Sequence, residues 1–124
     1  MKDKRPVNLD IGSMRLPITA WASITHRASG VFLFFAMVFL VWALDMSLRS
    51  PEDFATLQEV LTGPLAKLIL WAIVAGLIYH ALAGIKHIFM DFGIGESFEG
   101  GALAARFVIG LSVVLILLAG VLIW

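Results

Sequence analysis

The chain has 124 residues, is 60% hydrophobic and only 15% charged, and has a mean hydropathy of +0.96. Soluble domains average about 45–50% apolar and about 25% charged, and so short a chain buries only about two-thirds of its unfolded surface; a soluble monomer is excluded and a bilayer is the expected solvent. Nine cationic and nine acidic side chains balance to zero, so there is no cationic excess to favour a nucleic acid, and the absence of cysteine removes disulfides, iron–sulfur centres, thiolate zinc sites and covalently attached c-type haem.

The first long apolar run, 31–44, extends upstream through Pro17-Ile18-Thr19-Ala20-Trp21-Ala22-Ser23 and downstream to Leu48. Pro17 suits a helix start, where its missing N–H is not needed. A helix over 18–48 is about 45 Å long at about 1.5 Å per residue, against a hydrocarbon core of about 30 Å. Its early turns, carrying Ser23, His26 and Arg27, are therefore expected near one membrane surface. No secretory-signal pattern is seen, because the run starts late and no small-residue cleavage site follows it.

In the following stretch, Ser50 can cap a helix, Pro51 fits its first position, and Glu52 and Asp53 favour its N-terminus. Phe54, Leu57 and Leu61 share a face, and Gly63-Pro64 stops the helix. A short interfacial helix is predicted. The second span is about 65–90, with Tyr79 and His80 its main polar members. The connection 91–105 is glycine-rich and expected to be irregular. The third apolar run, 107–124, is charge-free and belongs to a span beginning at about 104. The expected fold is an all-α membrane protein of three transmembrane helices plus the interfacial helix, in a single domain over 1–124.

Lys2, Lys4, Arg5, Arg15 and Arg27 on the N-terminal side join Lys86 and Arg106, against only Arg49 and Lys67 on the other side. The positive-inside rule puts the N-terminus in the cytoplasm and the C-terminus outside. Trp42, Trp71 and Trp124 fall near the outer ends of the spans and Trp21 near an inner end, as an aromatic belt would.

Polar residues inside a membrane are costly and point to function. Ala72, Gly76, His80 and Gly84 recur every four residues and so share one helix face. A histidine flanked by small residues leaves room for a flat group such as a b-type haem, bound through imidazole with no covalent bond; the alternative is a histidine bonded to a neighbouring helix, with the glycines serving close packing. Ser23 and Arg27 are four apart with His26 adjacent. A hydroxyl donor and a guanidinium suit the carbonyl of a quinone; the alternative is an interfacial anchor. His87 and Asp91, also four apart, form either a proton route or a solvated helix end.

Three stretches carry a family resemblance: Arg5-Pro6-Val7-Asn8-Leu9-Asp10, then Pro17-Ile18-Thr19-Ala20, then Ser23-Ile24-Thr25-His26-Arg27-Ala28-Ser29-Gly30. With Tyr79-His80-Ala81-Leu82-Ala83-Gly84-Ile85-Lys86-His87 running on to Asp91-Phe92-Gly93, the chain resembles, over its whole length, the cytochrome b membrane-anchor subunits of bacterial succinate dehydrogenase. Lys86 departs from the family's usual arginine, keeping charge but losing bidentate pairing.

The resemblance implies a role in electron transport linked to the tricarboxylic acid cycle, in the bacterial inner membrane. It implies His80 as an axial ligand of haem b, with the other ligand from a second membrane-anchor subunit. It implies Ser23 and Arg27 at the quinone site, His26 and Arg27 near the haem propionates, and Asp91 with His87 on a proton route. Partners are a flavoprotein subunit and an iron–sulfur subunit; the chain itself performs no succinate chemistry. An anchor of a quinol:fumarate reductase and a cofactor-free scaffold are the alternatives.

Overall fold

A computed structural model describes residues 10, 12 and 14–124. The early motif at 5–9 and the cations Lys2, Lys4 and Arg5 lie outside the described residues. Four helices follow in order: α1 (Ile18–Arg49), α2 (Pro51–Thr62), α3 (Pro64–Asp91) and α4 (Phe98–Ile123). Among the described residues there is no strand. Helices α1, α3 and α4 have 32, 28 and 26 residues and are long and apolar enough to cross a membrane.

Pro17 stands just outside α1 in extended backbone, and its carbonyl accepts from the Ala20 and Trp21 amides. At the far end Ser50 is extended and at once caps α2, its hydroxyl accepting from the Asp53 amide at 3.0 Å. Pro51, Glu52 and Asp53 fill the first turn of α2 as the sequence predicts. Arg49 pairs with Asp45 and, at 3.8 Å, with Asp53. Both pairs are solvent-exposed and contribute little. Gly63 ends α2, and Pro64, lacking an amide hydrogen, begins α3 rather than prolonging α2.

The connection between α3 and α4 is shorter than the glycine content suggests. Gly93, at φ +82°, closes α3 with two bonds, Gly93 N–H to the Met90 carbonyl at 2.9 Å and Ile94 N–H to the Phe89 carbonyl at 3.0 Å. This is the left-handed glycine stop of a helix. The expected irregular stretch to residue 105 is corrected: α4 already begins at Phe98. Ser97 caps it, accepting from the Gly100 amide at 3.0 Å, and Glu99 complements the helix dipole. Gly101 is buried in α4, where a Cβ would come within 3.3 Å of the Thr19 methyl on α1.

Helix α3 packs between α1 and α4. The buried apolar residues are mostly small or of moderate size (Ala22, Ala36, Ile73, Ala83, Ala105 and Val108 on the long helices), while Phe34, Phe35, Leu103 and Leu122 face outward. In water such an exterior would aggregate. In lipid there is no hydrophobic gain from burying it, and helices associate through close backbone approach and interhelical hydrogen bonds. Trp71 illustrates this: its indole N–H donates to the Ile116 carbonyl at 2.8 Å, and its ring fills the space beside Gly120. It joins α3 to α4 in addition to its expected place near a membrane surface. Trp124 instead receives Lys67, whose Nζ lies 5.6 Å from the ring centroid.

Candidate functional site

The polar residues singled out in the sequence collect where α1 faces α3. His80 lies eleven residues from the end of α3 at Asp91, about 16 Å along the axis. It meets α1 at Gly30, where a Cβ would stand 3.1 Å from His80 Cε1. The small-residue face of α3 is not left open. The space at Gly76 is filled by the Phe32 ring, 2.9 Å from where a Cβ would be, and Gly84 faces His26 Nε2 at 3.5 Å. These glycines serve the approach of α1, so a flat group cannot lie along that face. Any such group must reach His80 from elsewhere.

The hydrogen bonds of His80 define its protonation. Ser29 Oγ lies 2.6 Å from the His26 carbonyl oxygen. A carbonyl cannot donate, so the serine's one hydrogen goes there. His80 Nδ1 lies 3.0 Å from Ser29 Oγ and 3.2 Å from the same carbonyl. Both neighbours of Nδ1 are therefore acceptors, and Nδ1 carries the proton. Nε2 is left with its lone pair and no hydrogen-bond partner among the described residues, which is the form of imidazole that ligates a metal.

His26 turns inward while Arg27 stays exposed. The His26 ring stacks on His80, with centroids 4.3 Å apart and planes 10° from parallel, and is tilted against His87 at 5.0 Å. His87 is thus joined to the His80 region through His26, a link that spacing along α3 alone does not suggest. The three imidazoles are layered rather than convergent. Among the described residues no group of three or more histidine or carboxylate side chains is arranged to hold a metal ion.

Ser23 is half-buried and Arg27 exposed, one turn apart on α1, and among the described residues neither makes a hydrogen bond or ion pair. Asp91 is exposed at the end of α3 and His87 is half-buried; the structure does not bond them to each other. Three surface grooves, of about 380, 510 and 370 Å³, are lined by other residues than Ser23, Arg27 and His80.

Two further polar residues bonded across the α1–α3 contact carry no role in the sequence reading. Ser29 lies within the quoted motif, and its position three residues after His26 is the signal that could have placed it against that carbonyl. Tyr79 donates its hydroxyl hydrogen to the Ala22 carbonyl at 3.0 Å and lies 2.5 Å from Thr25 Oγ1. As the chain's single tyrosine, inside an apolar span, it required such a partner. Thr25 in turn donates to the Trp21 carbonyl at 2.7 Å.

Residues 1–119 match the family described as succinate dehydrogenase/fumarate reductase transmembrane subunit. The chain is similar to the succinate dehydrogenase cytochrome b556 subunit of Coxiella burnetii, 39% identical over 125 residues and covering 100% of both chains. It is similar to the subunit of the same name from Paracoccus denitrificans, 34% identical over 117 residues, 94% of this chain and 90% of the relative. The corresponding Rickettsia felis subunit is 31% identical over 116 residues, with the same coverage of 94% and 90%.

Proposed function

The chain belongs to the succinate dehydrogenase/fumarate reductase transmembrane subunit family, and we propose that it is the cytochrome b anchor of a succinate:quinone oxidoreductase. It holds the flavoprotein and iron–sulfur subunits at the membrane and contributes to the quinone-reducing site. It also supplies one axial ligand of a haem b shared with a second anchor subunit. The relatives' names, all succinate dehydrogenase, favour succinate oxidation over fumarate reduction.

The observation that carries the haem assignment is the bare Nε2 of His80, its tautomer determined by acceptors at Nδ1. A b-type haem needs an imidazole nitrogen and no covalent attachment, which suits a chain without cysteine. When bound, the haem supplies a one-electron carrier at this depth of the membrane. The chain offers no second histidine converging on the same point, which supports a second axial ligand from the companion anchor. His26, whose ring stacks on His80, and the exposed Arg27 beside it on α1 are the groups assigned to the propionates.

Ser23 and Arg27 are assigned to the quinone. Their unsatisfied donors share a helix face near the membrane surface. The hydroxyl donates to a quinone carbonyl, and the guanidinium stabilises negative charge that develops on that oxygen. The half-buried His87, which adjoins the His26 ring, and the exposed carboxylate of Asp91 are assigned to proton delivery from the cytoplasm. The cation asymmetry of the sequence supports a cytoplasmic N-terminus, a periplasmic C-terminus and residence in the bacterial inner membrane.

The test is a reduced-minus-oxidised spectrum of the gently purified, tagged complex together with identification of its subunits. A b-type spectrum, abolished in His80→Ala, is expected beside flavoprotein, iron–sulfur and second anchor subunits. A colourless chain purified with unrelated partners would instead favour a structural scaffold.

A further inference from the structure

We propose that Ser29 is a positioning residue for the His80 imidazole, its hydroxyl acting with the His26 carbonyl to hold the ring proton on Nδ1 and present Nε2 as the ligating nitrogen. The proposal rests on the assignment of His80 as a haem ligand and adds a residue to which neither the motifs nor the relatives' names give a role.

The geometry makes Ser29 a relay in a closed triangle. It donates to the His26 carbonyl at 2.6 Å and accepts from His80 Nδ1 at 3.0 Å, while that carbonyl also accepts from Nδ1 at 3.2 Å. Ser29 is thus the nearer of the two acceptors. The opposite tautomer would draw the serine hydrogen away from the His26 carbonyl and set the Nδ1 lone pair against that carbonyl's lone pairs, so the contact at 3.2 Å disfavours it. Two features stop the ring from rotating away. The α1 backbone passes so near at Gly30 that a Cβ there would stand 3.1 Å from His80 Cε1, and the His26 ring covers one face of the imidazole. Imidazoles that ligate metals characteristically donate their other N–H to an acceptor, which orients the ring and raises the basicity of the ligating nitrogen. The acceptor pair here comes from α1, so the α1–α3 contact itself sets the ligand.

Removing the hydroxyl leaves Nδ1 with only the more distant carbonyl. A less basic ligand favours ferric iron less, so the haem midpoint potential is expected to rise in Ser29→Ala. Haem affinity is expected to fall by about 10-fold, at the mild end for loss of such a partner. The experiment compares Ser29→Ala, Ser29→Thr and Ser29→Val in the intact complex. It reads the midpoint by potentiometric titration and the low-spin ferric signal by electron paramagnetic resonance, with His80→Ala in parallel. Threonine keeps the hydroxyl and valine has the same shape without it. A raised midpoint and altered signal in Ala and Val, with Thr restored to the parent value, supports the proposal. An unchanged midpoint and signal in Ser29→Ala overturns it, as does any result in which Val behaves like Thr. If Ser29→Ala fails to assemble, the Thr and Val pair decides alone, and loss of haem in both counts against the hydroxyl. A parent-like spectrum in His80→Ala overturns the ligand assignment instead, so the two failures are distinct.

Discussion

The imidazoles of His26 on α1 and His80 on α3 lie face to face, 4.3 Å between centroids and 10° from parallel. The contact joins residues 54 positions apart and uses His26 twice, its ring as a cover and its backbone carbonyl as an acceptor for His80 Nδ1. Side-chain replacement separates the two uses. His26→Phe keeps a flat ring and the carbonyl but loses the ring nitrogens assigned to the propionates, and is expected to retain haem with a smaller midpoint shift than His26→Ala. His26→Ala keeps only the carbonyl and is expected to retain haem with a shifted midpoint. Haem-to-flavin stoichiometry and potentiometry of the two purified complexes check this.

Ser23 and Arg27 are both expected to matter for quinone, Arg27 serving the haem propionates as well. Ser23→Ala and Arg27→Leu should each lower succinate:quinone turnover by about 10-fold to 1,000-fold, the range for loss of a donor to developing negative charge. Transfer from succinate to a soluble dye should persist. Normal quinone turnover in both variants would remove these residues from the site.

The absence of cysteine permits a clean test of topology. Glu96, in the connection before α4, and Glu59, on α2, are both exposed and lie at opposite ends of the long helices. In intact cells a membrane-impermeant thiol reagent added from outside is expected to label Glu59→Cys. It should reach Glu96→Cys only after the membrane is opened. The reverse pattern would invert the proposed orientation.

Close packing of α4 on α3 predicts a contrast between two glycines. A methyl at Gly120 would stand 2.9 Å from Trp71 ring atoms, and that ring is tied to the Ile116 carbonyl. Gly120→Ala is therefore expected to destabilise the fold by about 1–3 kcal/mol, as overpacking does. Gly110 meets nothing within 4 Å. Gly110→Ala is expected to be neutral or to stabilise by about 0.5–1 kcal/mol through helix propensity. Thermal unfolding in detergent compares them.

Ser112 on α4 is buried, and its hydroxyl oxygen has no hydrogen-bond partner among the described residues. An unsatisfied buried hydroxyl costs about 1–3 kcal/mol. Ser112→Ala is accordingly expected to leave stability unchanged or raise it, whereas loss of the satisfied Tyr79 hydroxyl in Tyr79→Phe should lower it by about 0.6 kcal/mol, typical of interhelical bonds in membranes. The same melting experiment ranks the two.

The three spans, the Ser50–Pro51 start of α2 and the list of intramembrane polar residues were legible in the sequence, because length, hydropathy and capping act within a few residues of one another. The end of the second connection was not. The stretch to 105 reads as irregular on its glycine content, yet Ser97 caps a helix that runs through Gly100 and Gly101, and Gly101 is needed for the approach to Thr19. Nor could periodicity tell that Gly76 and Gly84 are filled by Phe32 and His26. Residue spacing on α3 shows which side chains share a face, but not which helix covers it. Only the rotation of α1 against α3 brings Ser29 and the His26 carbonyl to His80 Nδ1. The sequence by itself thus determined a neutral, cysteine-free membrane chain with one histidine deep in a span. The tertiary structure decided which nitrogen of that histidine is bare, because the acceptors that hold its proton come from a helix some fifty residues away.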